Sequence, residues 1–420
     1  MDKSADEIFG KTDAPILWNL SLLSFIIAGV TGFCYRLGMT GGAPFNLSMI
    51  NIRHAHSHLM FFGWAVPMPL YFLFDCLKER AHHNKGIIKL MKYSIVVSLL
   101  LGLTAYPFFL LYGYRPVSIG SAALPVSAML AGLVMVSWYC FMFGYFKIRH
   151  VLDGDPKQLW VDGAIAMLLV CSLGAWGVAV MQAISPANQL LTKAMTHFFL
   201  STFTEGWVVL ILVAIIISQL ERKKIKWPLP PNLLLALILL GAPLTFPYGI
   251  PESLLSSPLL MIARIGGAVA ATSLLLILTG IVKSINLKNS IWIWPIGLLG
   301  FKALMQLTAS ILPTGFWLSD HGLRILYLHV LLLGALTLTI AATLNEKANI
   351  PKPHFKLFVG AVVSVLASLV LLSRFWPMAL SGSWIYETVA SVAILPVLAA
   401  INLWFRMLKK KSEKAYARHS

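Results

Sequence analysis

Apolar residues in this chain gather into long runs; they do not alternate as in a half-buried strand or form the narrow stripe of a surface helix. Coiled as helices, runs of roughly 20 residues cover the hydrocarbon core of a bilayer. Twelve such runs can be marked, with cores at Pro15–Cys34, His56–Cys76, Lys92–Tyr112, Ala122–Phe146, Leu159–Ile184, Met195–Leu220, Asn232–Tyr248, Leu260–Ile285, Ile291–Leu312, Leu323–Leu344, Phe355–Phe375 and Tyr386–Phe405. The pattern predicts an all-α, polytopic bundle of twelve transmembrane helices. Residues 1–420 then form a single integral membrane domain, with nothing left over for a soluble one. The first run follows a polar start, Met1–Asp13, and has no small-residue cleavage site, so it is read as a retained helix.

Composition agrees, at 58% hydrophobic and 12% charged, and the charge balance adds an orientation. A net charge of +17 would suit a nucleic-acid partner if the basic residues formed one patch, but they sort by loop. With the N-terminus inside, the inner segments hold 25 of the 33 Lys and Arg. The outer segments and helix ends hold only Arg36, Arg53, Arg115, Lys193, Arg264, Arg324 and Arg374, and Lys302 lies within the ninth run. That bias predicts cytoplasmic termini in a bacterial inner membrane. The basic tail around Lys409–Lys411 becomes a patch for anionic lipid, and no nucleic acid is implied. Cys34, Cys76, Cys140 and Cys171 fall within or at the ends of runs, without metal or disulfide spacing, and read as packing residues.

Six of the eleven histidines enter apolar runs: His54, His56 and His58 in the second, His197 in the sixth, His321 and His329 in the tenth. These three runs all cross from outside to inside, so the six share the outer half of the membrane and recur every fourth helix. Ionisable groups at such depth usually mark a site. Neutral imidazole is a good axial ligand for haem iron, and a haem between facing helices takes one histidine from each at equal depth. His56 and His329 meet that demand. On a helix, His54 and His58 share a face, while His56 points about 200° away. Either His56 acts alone or the pair does. Arg53 and Arg324, on the same rim, suit haem propionates or phosphate headgroups alike. Glu205, two turns beyond His197, reads as a metal ligand, a proton relay or a neutral hydrogen-bonded acid. Lys302 reads as a partner for a carboxylate, the lining of a water-filled path or a snorkelling side chain.

Twelve runs with histidines in the second, sixth and tenth resemble subunit I of the haem-copper oxidase superfamily, with its nitric oxide reductase and NnrS relatives. The carrying motifs are Arg53-His-Ala-His56 and Tyr327-Leu-His329 followed by an apolar run and glycine; the string from His54 through Gly63 is closest to NnrS. The resemblance implies a low-spin, non-covalent haem of b type on His56 and His329, and as partners a quinol, a cytochrome, or a small gas such as nitric oxide or oxygen. The family's copper site needs two adjacent histidines in helix seven, and Asn232–Tyr248 has none. Tyr327 stands where the family has the ligand of its reactive haem. Copper and proton-pumping oxygen reduction are therefore not expected. The competing reading is a proton- or cation-coupled transporter that uses the intramembrane histidines and Glu205.

Overall fold

In lipid every backbone N–H and C=O must be bonded within its own segment, which turns long apolar runs into helices. The computed structural model describes residues 13–42, 44–184, 188–219, 225–284, 290–313, 320–348 and 351–416. In chain order the helices are α1 (Asp13–Gly41), α2 (Met49–Arg80), α3 (Lys85–Tyr112), α4 (Val126–Ile148), α5 (Gln158–Ile184), α6 (Gln189–Ser218), α7 (Pro231–Leu244), α8 (Ser257–Ser284), α9 (Ile293–Ile311), α10 (His321–Lys347), α11 (Lys352–Val370) and α12 (Trp384–Arg406). Among the described residues, 11 of these are long and apolar enough to cross a membrane, so the chain is an all-α, multi-pass membrane protein. The one outside that set is α9, whose 19 residues include the buried Lys302 and Gln306.

Several boundaries differ from the sequence reading. The second run starts earlier, at Met49, because Asn51, Ile52 and Ala55 have packing to make on their neighbours. Ala122–Leu124, expected at the head of the fourth helix, is instead a strand (β2) paired antiparallel with Val117–Ile119 (β1). Gly120 supplies the positive φ of 61° between them, as a tight hairpin needs. The seventh run is helical only to Leu244, after which Phe246–Gly249 form a 3-10 turn around Pro247.

The chain groups into two compact units. The first holds the described residues up to Asp153, with Ile340–Leu371 and those from Pro377 on; the second holds Gly154–Thr339 with Leu372–Trp376. In the first, α1 packs on α2 and α12, and α3 on α2 and α4. In the second, α6 packs on α5 and α7, and α9 on α8 and on the middle of α10. Lipid gives helices no hydrophobic reason to associate, so close approach at small residues does much of the work. A Cβ on Gly241 of α7 would lie 2.7 Å from the Gly266 carbonyl of α8, and one on Gly174 of α5 2.6 Å from the Phe199 amide of α6.

The helices that carry the histidines of the second, sixth and tenth runs are set apart in two ways. They are the most buried, at 83% for α2, 94% for α6 and 67% for α10, against 39% to 56% for the other membrane-crossing helices. Each also opens into a π-helical turn just past its histidines, at Phe61–Ala65, Thr202–Val208 and Val330–Leu336. In α2 the turn precedes Pro67, which has no N–H to give, and the Val66 amide bonds the Phe61 carbonyl five residues back. In α10 the Thr337 hydroxyl likewise reaches back five residues, to the Leu332 carbonyl. Such turns concentrate at functional positions.

Candidate functional site

Because α2 begins at Met49, the three histidines sit on regular helical turns and not on a frayed start. The two faces expected from the spacing have different surroundings. On one, His58 Nδ1–H donates to the His54 carbonyl at 2.9 Å, and His58 Nε2 accepts from the Tyr114 hydroxyl at 2.8 Å. Tyr114 itself is 39% exposed, at the end of the turn that follows α3. The His58 ring stacks on Phe109 at 3.9 Å, and His54 meets Tyr114 edge-on at 4.9 Å. With both nitrogens bonded, His58 belongs to an aromatic cluster with Phe109, Tyr114 and Phe62.

On the other face His56 Nδ1–H donates to the Ala28 carbonyl of α1 at 2.7 Å. The ring lies over Gly32, one turn along α1, where a Cβ would come within 2.9 Å of His56 Cε1. Glycine here is a matter of space: any side chain would push the imidazole off its carbonyl. Among the described residues nothing bonds Nε2, and the residue is half-buried while Ala55 and Leu59 beside it are buried. Donation by Nδ1 puts the lone pair on Nε2, the tautomer and fixed orientation that a metal-ligating histidine needs.

His329 of α10 is half-buried, and its Nδ1–H donates to the Ile325 carbonyl at 2.8 Å. His56 lies in the first unit and His329 in the second. His321, the first residue of α10, is exposed, as is Arg53 on α2. His197 of α6 is half-buried against the 3-10 turn that ends α7, where a Cβ on Gly249 would collide with its ring. Its charged neighbours are Lys193 and Arg324, and the buried Arg324 Nε has no partner among the described residues. Also among the described residues, no three His, Cys, Asp or Glu side chains come together as a metal-ligand set, so His197 is not joined by two more.

The second unit holds a buried polar network. Glu205, inside the π-helical turn of α6, accepts at Oε1 from the Tyr327 hydroxyl at 2.6 Å and at Oε2 from Lys302 Nζ. Lys302 Nζ also donates to Gln306 Oε1 at 2.7 Å and sits 5.5 Å from the centre of the Tyr327 ring. Of the three roles open to Lys302 from sequence, pairing with a carboxylate is the one it takes. Lys302, Gln306 and Ser310 follow one another at four-residue spacing along one face of α9. Ser310 accepts from the Tyr248 hydroxyl at 3.3 Å and donates to the Gln306 carbonyl at 2.9 Å.

Sequence reasoning passed over two features of these sites. One is the shared π-helical turn, which in sequence leaves a glycine five residues past His58 and His329 and nine past His197: Gly63, Gly334 and Gly206. The other is the stripe Ala28, Gly32, Arg36 on α1, which is spaced at four residues and meets His56.

Fold and geometry together define a polytopic all-α membrane protein with oriented histidines on its most buried helices. No protein-family model and no curated protein matches the chain.

Proposed function

We propose that this chain is a haem-binding integral membrane protein similar to subunit I of the haem-copper oxidases and closest to the NnrS type. It has twelve spans when α9 is counted, lies in a bacterial inner membrane with both termini cytoplasmic, and works in electron transfer or in handling nitric oxide or oxygen. The observation that carries the reading is the setting of His56. Its proton is committed to a backbone carbonyl, its ring is held over a glycine, and no described side chain engages Nε2. The residues fit an axial haem ligand, whereas the bonded His58 does not. Assignment of His329 as the opposite ligand rests on the sequence resemblance. Haem bound there would supply a one-electron iron centre that can also take a diatomic gas. His56 would hold and orient it, and the packed helices would keep water away. Stoichiometric copper is not expected, because Asn232–Tyr248 carries no histidine to join His197. The test is absorbance of the purified protein: a Soret band in wild type and in His58→Ala, lost or five-coordinate in His56→Ala. A Soret spectrum unchanged in His56→Ala but altered in His58→Ala would reverse the assignment.

A second reading has its own observation. The buried Glu205, Lys302 and Gln306, with the half-buried Tyr327, form the kind of intramembrane charged cluster that proton-coupled transporters use. It requires colourless protein and proton movement in liposomes that Glu205→Gln abolishes.

A further inference from the structure

A buried guanidinium with no acid beside it leaves its charge unpaired, and such a group is costly unless an anion comes to it. Arg36, near the outer end of α1, is only 9% exposed. Its contacts are the Met39 thioether at 3.8 Å, a weak acceptor, and the face of the Tyr35 ring at 5.8 Å. No carboxylate among the described residues bonds it. Its position follows from helix geometry. Ala28 receives the His56 proton, Gly32 makes room for the ring, and Arg36 continues the same face one turn, ~6 Å, farther out. Arg53, the guanidinium singled out from the motif beside His56, is exposed and has no such placement.

We propose that Arg36 is the seat for an oxyanion beside His56, and that the oxyanion is a carboxylate of the haem. The planar fork of N–H donors suits carboxylate and phosphate alike, so a lipid phosphate is the other source of the same chemistry. The haem carboxylate is the better match because the seat lies one turn from the ring that would hold the iron, and because the side chain is buried. The inference rests on the haem reading above and adds the residue that fixes the ligand's polar edge.

The experiment uses full-length protein in detergent, stripped of haem and titrated with haemin and with haemin dimethyl ester, whose carboxylates are blocked. A charge-assisted hydrogen bond of this kind corresponds to a ten- to hundredfold difference, roughly. Wild type is expected to bind haemin more tightly than the ester by about that factor, Arg36→Gln to bind both alike at the weaker level, and Arg36→Lys to recover part of the difference. The wild-type comparison needs no variant and stands even if Arg36→Gln folds poorly. Equal binding of the two compounds by wild type, or undiminished haemin binding by folded Arg36→Gln, overturns the inference while leaving the haem reading intact. Loss of co-purifying anionic lipid from Arg36→Gln with haemin affinity unchanged assigns the seat to a phosphate and also overturns it. Absence of any haem binding by wild type overturns both.

Discussion

At the scale of single residues, hydrogen-bond partners separate three histidines that sequence could not rank. His58 is bonded at both ring nitrogens, to the His54 carbonyl and the Tyr114 hydroxyl, and His54 meets Tyr114 edge-on, while His56 is oriented by a carbonyl from another helix. Gly32 makes that orientation possible, and Gly32→Val is expected to displace the imidazole. The measurable outcome is a weakened or five-coordinate haem spectrum with the far-UV circular dichroism of the wild type. A normal six-coordinate spectrum in Gly32→Val would mean that the ring does not depend on this contact. In the second unit, Lys302→Leu leaves a buried carboxylate facing only Tyr327, a loss of about 3–5 kcal/mol by the general behaviour of broken buried pairs. Adding Glu205→Leu is expected to restore most of that stability. Thermal unfolding of the four-member mutant cycle reads the coupling, and additive losses would show that the pair is not a unit.

At the scale of elements, the helices were the most legible part of the chain, because in lipid a long apolar run has few structures open to it. What the runs could not give was their ends. Ala122–Leu124 is as apolar as a helix start, yet Gly120 and Pro125 turn it into a hairpin strand. The seventh run reads as one helix until Pro243 and Pro247 break its end into a 3-10 turn. The π-helical turns were invisible because they follow from backbone accounting around Pro67 and Thr337, not from hydropathy. The histidine period was legible since imidazole stands out in an apolar run. Which nitrogen is occupied was not, because Ala28 and Tyr114 come from other parts of the chain. Arg36 was read only as one of the outer basic residues: a guanidinium near a helix end looks like a headgroup anchor until its burial is known. The glycines past the histidines lead to an element-level expectation. Gly206→Leu would meet the Met167 side chain of α5, where even a Cβ comes within 2.7 Å. It should lower the thermal midpoint more than Gly297→Leu, a position with open space around it. Equal shifts would contradict the packing described for α6.

At the scale of the whole molecule, the run pattern of the sequence leads to the expectation that the histidines of the second, sixth and tenth runs share one level of the membrane. The level depends on orientation, and orientation rests on the distribution of Lys and Arg between loops. A reporter active only in the periplasm, fused after Ser420, is expected to stay silent, and the same reporter placed in the hairpin between Ile119 and Ala122 is expected to be active. The opposite result would move every one of these histidines to the cytoplasmic half. Function turns on whether iron occupies this level, and the most direct measurement is the absorbance spectrum of the purified, reduced full-length protein beside that of His56→Ala. Wild type is expected to show a Soret band with the sharp visible bands of six-coordinate low-spin haem, lost in His56→Ala. Colourless wild-type protein that stays colourless when titrated with haemin would contradict it.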